Sequence, residues 1–354
     1  MNAIDFFCGG GGMTKGLIDA GVNVVFGLDS NPLCKETYEH NNGIPYLKRD
    51  ILDVTAEQLQ EEFPVLLNND ELLMVGCAPC QPFSVLNPNN PAEHRSVNLL
   101  NEFGRIVQRI RPAHILVENV PGLRGRGENV LQSFLDMLRE EGYKVDYGVV
   151  NAKNFGVPQN RKRFILIASR KFEPRIPPIT HGEGLQPYVT VFETIHQYPA
   201  LEAGQVNENV PNHRAAGLSA INIRRLQATP LNGGSRTDWP AELWLDCHEN
   251  FSGHTDVYGR MVWDNVAPTL TVKCFSISNG RFAHPEQNRA ISLREAAALQ
   301  TFPDDYVFYG NQQEIGKQIG NAVPVLLAKR MGEYILQQHS LAVRRKRKYH
   351  KEHD

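Results

Sequence analysis

Residues 72–84 read Leu72-Leu73-Met74-Val75-Gly76-Cys77-Ala78-Pro79-Cys80-Gln81-Pro82-Phe83-Ser84. The apolar run at 72–75 is short, continuous and ends at a glycine, the pattern of a strand buried on both faces of a parallel sheet. A Pro-Cys-Gln-Pro loop follows. Open α/β folds hold their ligands beyond the C-terminal ends of strands, so the Cys80 thiol is expected at the mouth of a sheet. Pro79 and Pro82 fix φ on either side of it and limit its reorientation. A nucleophile would be mounted in this way. Three other uses stay open on these residues alone. Cys77 and Cys80 form a Cys-x-x-Cys, which can mark a redox pair, half of a zinc site or plain packing. No second Cys-x-x-Cys or His-x-x-x-His completes a metal set, and Cys247, His248 and Cys274 are scattered, so no metal is expected.

Outward from this stretch, strand and helix signals alternate. Residues 3–7, 22–28, 72–75, 115–117, 145–150 and 164–168 read as strands. Helical patterns at 99–110 and 130–141 lie between them, the second stopped by Gly142. This is the βαβ rhythm of a parallel sheet. From about Pro174 it breaks into Pro, Gly, Asn and His with short aromatic pieces, and helical pattern resumes at 292–300 and 323–338. The 354 residues can bury a large core, and 41% hydrophobic with 21% charged residues is ordinary for a water-soluble globular chain. No apolar run reaches the roughly 18 residues of a membrane helix, and the N-terminus has no signal-peptide pattern. Six cysteines without framework spacing suit a reducing cytoplasm. A net charge of −2 does not advertise nucleic acid, yet an enzyme needs only one basic cleft.

The first expected strand runs into Asp5-Phe6-Phe7-Cys8-Gly9-Gly10-Gly11-Gly12. Glycines there let a nucleotide approach the backbone closely. Thr14 or Lys15 occupies the place of the third glycine of a dinucleotide fingerprint, and tight helix–strand packing explains the run equally well. Asp29 and Asp50 close the next two units. Carboxylates at those places suit a ribose hydroxyl pair and an adenine amino group, although each alone reads as a helix cap.

These stretches together resemble the DNA (cytosine-5) methyltransferase family, over nearly the whole catalytic domain. Pro79-Cys80-Gln81 with Phe83-Ser84 resembles its catalytic loop, and the glycine run its first motif. The resemblance implies a Rossmann-like α/β domain that binds S-adenosylmethionine through Phe7, Gly9, Gly11, Asp29, Ser30, Asp50, Ile51, Pro79 and Leu99. Gly320-Asn321-Ala322-Val323-Pro324 resembles the last motif and adds Asn321 and Ala322. The position after the ribose carboxylate, often Trp in the family, is Ser30 here.

Carbon 5 of cytosine is a poor nucleophile until a thiolate adds at carbon 6. Cys80 would supply it, and a thiol of ordinary pKa, about 8.5, needs help to ionise. Ring N3 needs a donor, and Glu118-Asn119-Val120 offers a carboxyl at the end of an apolar strand, where burial would keep it protonated. Gln159-Asn160-Arg161-Lys162-Arg163 is similar to the family's Gln-x-Arg-x-Arg. By that match Arg163 reaches the target base and Arg161 helps order the site; two apart, they would share one side if the extended run begins there.

Residues 175–265 fall where the family carries its target-recognition domain, with 1–174 and 266–340 forming the catalytic domain. Arg224, Arg225 and Arg236 are the candidate readers there, Arg236 following a Gly233-Gly234 loop expected to be flexible; Gln81 and Ser84 are DNA contacts beside Cys80. Arg344-Arg345-Lys346-Arg347-Lys348 in the segment 341–354 reads as a frayed basic tail adding nonspecific phosphate attraction. The expected protein is a monomeric bacterial cytoplasmic enzyme acting on double-stranded DNA. It would be the modification partner of a restriction endonuclease that shares its site without needing to bind it. An RNA cytosine-5 methyltransferase, a Cys77/Cys80 oxidoreductase and a silent DNA-binding relative are the competing readings.

Overall fold

The structure is a computed structural model and describes residues 1–79, 98–249 and 256–353. The described chain divides into two compact units. The first comprises Met1–Asn151, Lys162–Ile179 and Val325–Asp354, and the second Ala152–Arg161 and Thr180–Pro324.

The first unit is built on seven strands: β1 (Asn2–Phe6), β2 (Asn23–Asp29), β3 (Tyr46–Lys48), β4 (Leu72–Gly76), β5 (His114–Asn119), β6 (Lys144–Asn151) and β7 (Lys162–Ser169), in the order β3-β2-β1-β4-β5-β7-β6. Helices α1 (Gly12–Asp19), α2 (Lys35–Asn42), α3 (Ala56–Glu62), α4 (Leu99–Ile110) and α5 (Glu128–Glu140) lie between them in sequence. As expected of an apolar run at a sheet centre, every residue of β4 is buried. β4 pairs in parallel with β1 and β5, in a register that sets Gly76 opposite Phe6 on one side and Val117 on the other. The loops that leave β1 and β4, and Glu118 one residue beyond Val117, therefore emerge at one end of the sheet.

Two features depart from the expected parallel rhythm. The strand β3 carries no periodic signal because it is only Tyr46-Leu47-Lys48. And β7 runs antiparallel to both β5 and β6. Only residues 152–161 join β6 to β7, too short a link for the crossover helix that a parallel return requires.

The second unit contains α6 (Val191–Ile195), α7 (Ala220–Ala228), α8 (Asp246–Glu249), α9 (Leu293–Leu299) and α10 (Gln312–Asn321), joined by long irregular segments and isolated bridges such as Gln159–Ala267. Its packing does not stop at residue 265. Leu226, Trp239 and Leu243 share a buried cluster with Ile277, Ala283 and Ala290, so residues 266–324 belong to this compact unit rather than to the sheet unit. The chain returns to the first unit with α11 (Val325–His353), which packs on α1. Gly16 permits that contact, since a Cβ there would lie 2.4 Å from the Val325 carbonyl oxygen. The expected frayed tail is helical backbone through His353.

Candidate active site

Three peptide segments converge at the C-terminal end of the sheet in the first unit. The glycine loop leaves β1 at Phe7, whose φ of 61° is positive, and continues through Gly9 (φ 50°) and Gly11 (φ 89°). A non-glycine residue in this left-handed region costs roughly 1–3 kcal/mol and persists only where its surroundings impose it. Asp29 at the end of β2 imposes part of it: its Oδ2 accepts the Gly9 N–H at 2.9 Å and its Oδ1 the Asn31 N–H at 2.8 Å. Burial pushes the Asp29 carboxyl above its usual range, and those backbone donors pull against it. Ser30 is exposed beside it. Asp50 caps the short turn that follows, accepting the Leu52 N–H at 3.1 Å, while Ile51 is buried. Leu99 opens α4, and Pro79 is exposed just beyond β4.

Below the loop lies a carboxyl given no role by sequence reading. Asp5 is fully buried, and its Oδ2 accepts from Thr14 Oγ1 at 2.7 Å, which in turn meets Tyr38 Oη at 3.0 Å. Among the described residues its Oδ1 has no hydrogen-bond partner. Desolvation raises the Asp5 pKa to about 7. Only its place in the glycine motif could have marked it.

The second segment carries the expected nucleophile. Cys80, Gln81 and Ser84 lie outside the described residues; the chain leading to them does not. The Cys77 amide donates to Phe6 O at 3.2 Å, and Asn119 Nδ2 donates to Ala78 O at 3.1 Å, so neighbouring strands tether the approach to Cys80 from both sides. Desolvation, then Asp5 and Glu118, pushes the Cys77 thiol well above its ordinary value. That disfavours the thiolate a redox or nucleophilic role for Cys77 would need.

The third segment brings Glu118 and Arg163 together. Glu118 pairs across the ladder with Ile165, and Arg163, two residues back on β7, falls on the same face as its diagonal neighbour. Arg163 Nε lies 2.8 Å from Glu118 Oε1, with both side chains nearly buried. Desolvation lowers the Arg163 pKa and Glu118 raises it again.

Arg161 does not join that pair. It belongs to the second unit, is 1% exposed, and donates to the carbonyls of Leu270 (2.8 Å), Gly320 (2.8 Å) and Ala322 (3.1 Å). It thus holds the backbone on either side of Asn321. Gln159 extends this hub to Leu270 N, Leu299 O and Gln300. The shared face expected for Arg161 and Arg163 fails because β7 begins only at Lys162.

The candidate readers also separate. Arg224 on α7 is exposed. Arg225 is buried beside Trp239 and Tyr258 (5.6 and 5.9 Å to the ring centroids) and donates to Leu243 O. Arg236 is 3% exposed. The Gly233-Gly234 loop is clamped, since Arg281 Nη1 donates to both carbonyls and the Arg260 amide to Gly234 O.

With this geometry in place, comparison with known proteins is decisive. A family model described as C-5 cytosine-specific DNA methylase matches residues 1–337. The chain belongs to that family. It is a C-5 cytosine DNA methyltransferase. Among curated proteins, this methylase is 43% identical to the Type II methylase M.HgiDII of Herpetosiphon aurantiacus, over 92% of each chain. It is 32% identical to the Type II methyltransferase M1.HphI of Haemophilus parahaemolyticus, over 95% of this chain and 87% of that one. A solved structure of a putative DNA modification methyltransferase from an E. coli prophage superposes with a TM-score of 0.72 at 20% identity, covering 96% and 99% of the two chains; that likeness concerns the fold. DNA is thus the methylase's substrate. Among the described residues no helix is long and apolar enough to cross a membrane.

Proposed function

We propose that this methylase transfers a methyl group from S-adenosylmethionine to carbon 5 of a cytosine flipped out of duplex DNA, with Cys80 as nucleophile. The observation that carries the reading is the nearly buried Glu118–Arg163 pair, with Glu118 on β5, the neighbour of the strand that leads into Cys80, and Arg163 on β7 beyond it. Cys80 adds to carbon 6 as its thiol proton leaves, and ring N3 takes a proton from Glu118, which makes carbon 5 the nucleophilic end of an enamine. To give a proton to N3, Glu118 must carry one when the base is in place. Bound S-adenosylmethionine supplies an electrophilic sulfonium methyl. Loss of the carbon 5 proton to solvent then expels the Cys80 thiolate, and ring N3 returns its proton to Glu118.

The glycine loop fits such a cofactor. An added Cβ at Gly9 would meet none of the described residues within 4 Å, so the backbone presents an open face to them there. Phe7, Gly9, Gly11, Asp29, Ser30, Asp50, Ile51, Pro79 and Leu99 are its proposed contacts in the first unit, with Asn321 and Ala322 in the second. Residues 175–265 are the proposed target-recognition segment. Arg224, Gln81 and Ser84 are the proposed DNA contacts; burial of Arg225 and Arg236 suits them to holding that segment together. Similarity to Type II methylases supports a modification role in a restriction–modification system, as a monomer whose partner nuclease shares only the site.

Cys80→Ser is expected to abolish transfer of labelled methyl groups to DNA while retaining DNA and cofactor binding, and Cys77→Ser to keep substantial activity. Equal loss in the two variants would sink the assignment of Cys80 as nucleophile.

A further inference from the structure

The second unit contains a cavity of about 340 Å³ lined by Lys153, Asn160, Met261, Val262, Asn265, Val266, Ala267, Pro268 and Arg281. A single water needs only about 10–15 Å³ by that measure, so a group of several heavy atoms fits. The lining residues include two cations, Lys153 and Arg281, and two asparagines, and no acidic residue is among the described ones. Both cations are held in place. Lys153 Nζ sits 4.4 Å from the centroid of the Tyr188 ring. Arg281 Nη1 donates to the carbonyls of Gly233, Gly234 and Arg260, and among the described residues only its Nε faces a carboxylate, the exposed Asp256 at 3.3 Å. The Asn160 backbone is fixed as well, its N–H donating to Ala267 O and its carbonyl accepting from Thr269 Oγ1. Fixed cations and amides around a space of this size make an anion site, and the anion that a DNA methylase meets in quantity is the phosphodiester backbone.

We infer that this cavity is a backbone-phosphate subsite for duplex DNA, centred on Lys153 and Arg281. It rests on the proposed DNA recognition by residues 175–265, which supply part of the lining, yet Lys153 lies outside that segment and can be tested independently of it. A phosphate contact positions the protein without reading sequence, so its loss weakens binding alike on cognate and altered sites.

The measurement is the salt dependence of duplex binding by the full-length protein. Lys153→Gln is expected to weaken binding several-fold on both sequences and to reduce the slope of log K against log salt by about 1, since each neutralised phosphate contributes roughly 0.9. Lys153→Arg should restore most of both. Tyr188→Leu removes the ring beneath the ammonium but keeps the charge, and should largely preserve the slope. A Lys153→Gln slope equal to that of the parent overturns the subsite, as does a Tyr188→Leu loss as large as that of Lys153→Gln, which would mark a packing role. Inorganic phosphate binding that disappears in Lys153→Gln while the DNA slope stays constant would assign the cavity to a free anion and overturn the DNA assignment. An unchanged methylated sequence after exchange of residues 175–265 would refute the recognition reading without altering the Lys153 result.

Discussion

The first unit satisfies its buried backbone with a seven-stranded sheet, whereas the second has no extended ladder among its described residues and relies on arginine. Arg161, Arg260, Arg289 and Arg294 are among the largest fully buried side chains of the molecule. Arg260 alone donates to the carbonyls of Thr229, Leu226, His284 and Gln287. Arg294 does the same for Pro211, Pro303 and Tyr306. Irregular backbone that is buried must still find partners, and the five fixed donors of a guanidinium serve several carbonyls at once. Glu295 completes the pattern: burial raises its pKa, but the two-pronged contact with Arg289 (2.7 and 2.8 Å) holds it below the ordinary carboxyl range. A cluster of arginines in a DNA enzyme therefore need not be a DNA surface.

That contrast breaks most sharply at Glu118, whose proposed role in the sheet unit is chemistry instead of scaffolding. Glu118→Gln keeps the shape and removes the transferable proton, so single-turnover methyl transfer should fall by roughly 100- to 10,000-fold. A rate equal to that of the parent would refute the role.

Arg161→Met is the matching test of the scaffold. Each carbonyl left without a donor costs about 1–3 kcal/mol, so denaturant unfolding should show a loss of several kcal/mol, with activity at low temperature falling far less than in Glu118→Gln. A stability equal to that of the parent would mean that solvent replaces the guanidinium.

The sheet unit carries its own strained charge at Asp5. A carboxyl whose folded pKa is about 7, against roughly 3.9 unfolded, binds the extra proton in the folded state. Its cost is absent below the unfolded value, grows between the two and is complete above about 7. Asp5→Asn should therefore raise the melting temperature at pH 8 more than at pH 5; an equal shift at both would rule out Asp5 as the source.

The smallest expected effect separates two neighbours on α7. Arg225→Gln should lower the melting temperature, because Arg225 is packed against Trp239 and Tyr258. Arg224→Gln should leave it unchanged and weaken DNA binding instead. A base contact would lose roughly 1–3 kcal/mol at one position of the site, whereas a phosphate contact would flatten the salt dependence on every sequence. Neither change in Arg224→Gln would remove it from the interface.

Residue order alone determined the parts whose cause is local. The apolar run at 72–75 is a buried strand because only that element buries four consecutive apolar residues so briefly. The glycine run turns where φ must be positive, and the apolar strand of Glu118 ends one residue beyond its carboxyl. The family resemblance rests on these same local stretches, which is why it was legible. Tertiary structure decided what depends on partners distant in sequence. β7 reverses because residues 152–161 are too short to cross over, so Arg163 meets Glu118 diagonally while Arg161, two residues earlier, turns to carbonyls more than a hundred residues away. An arginine reads the same in sequence whether it faces solvent, a carboxylate or a buried carbonyl. Only the fold states which, because the choice is made by whichever backbone groups are left without partners.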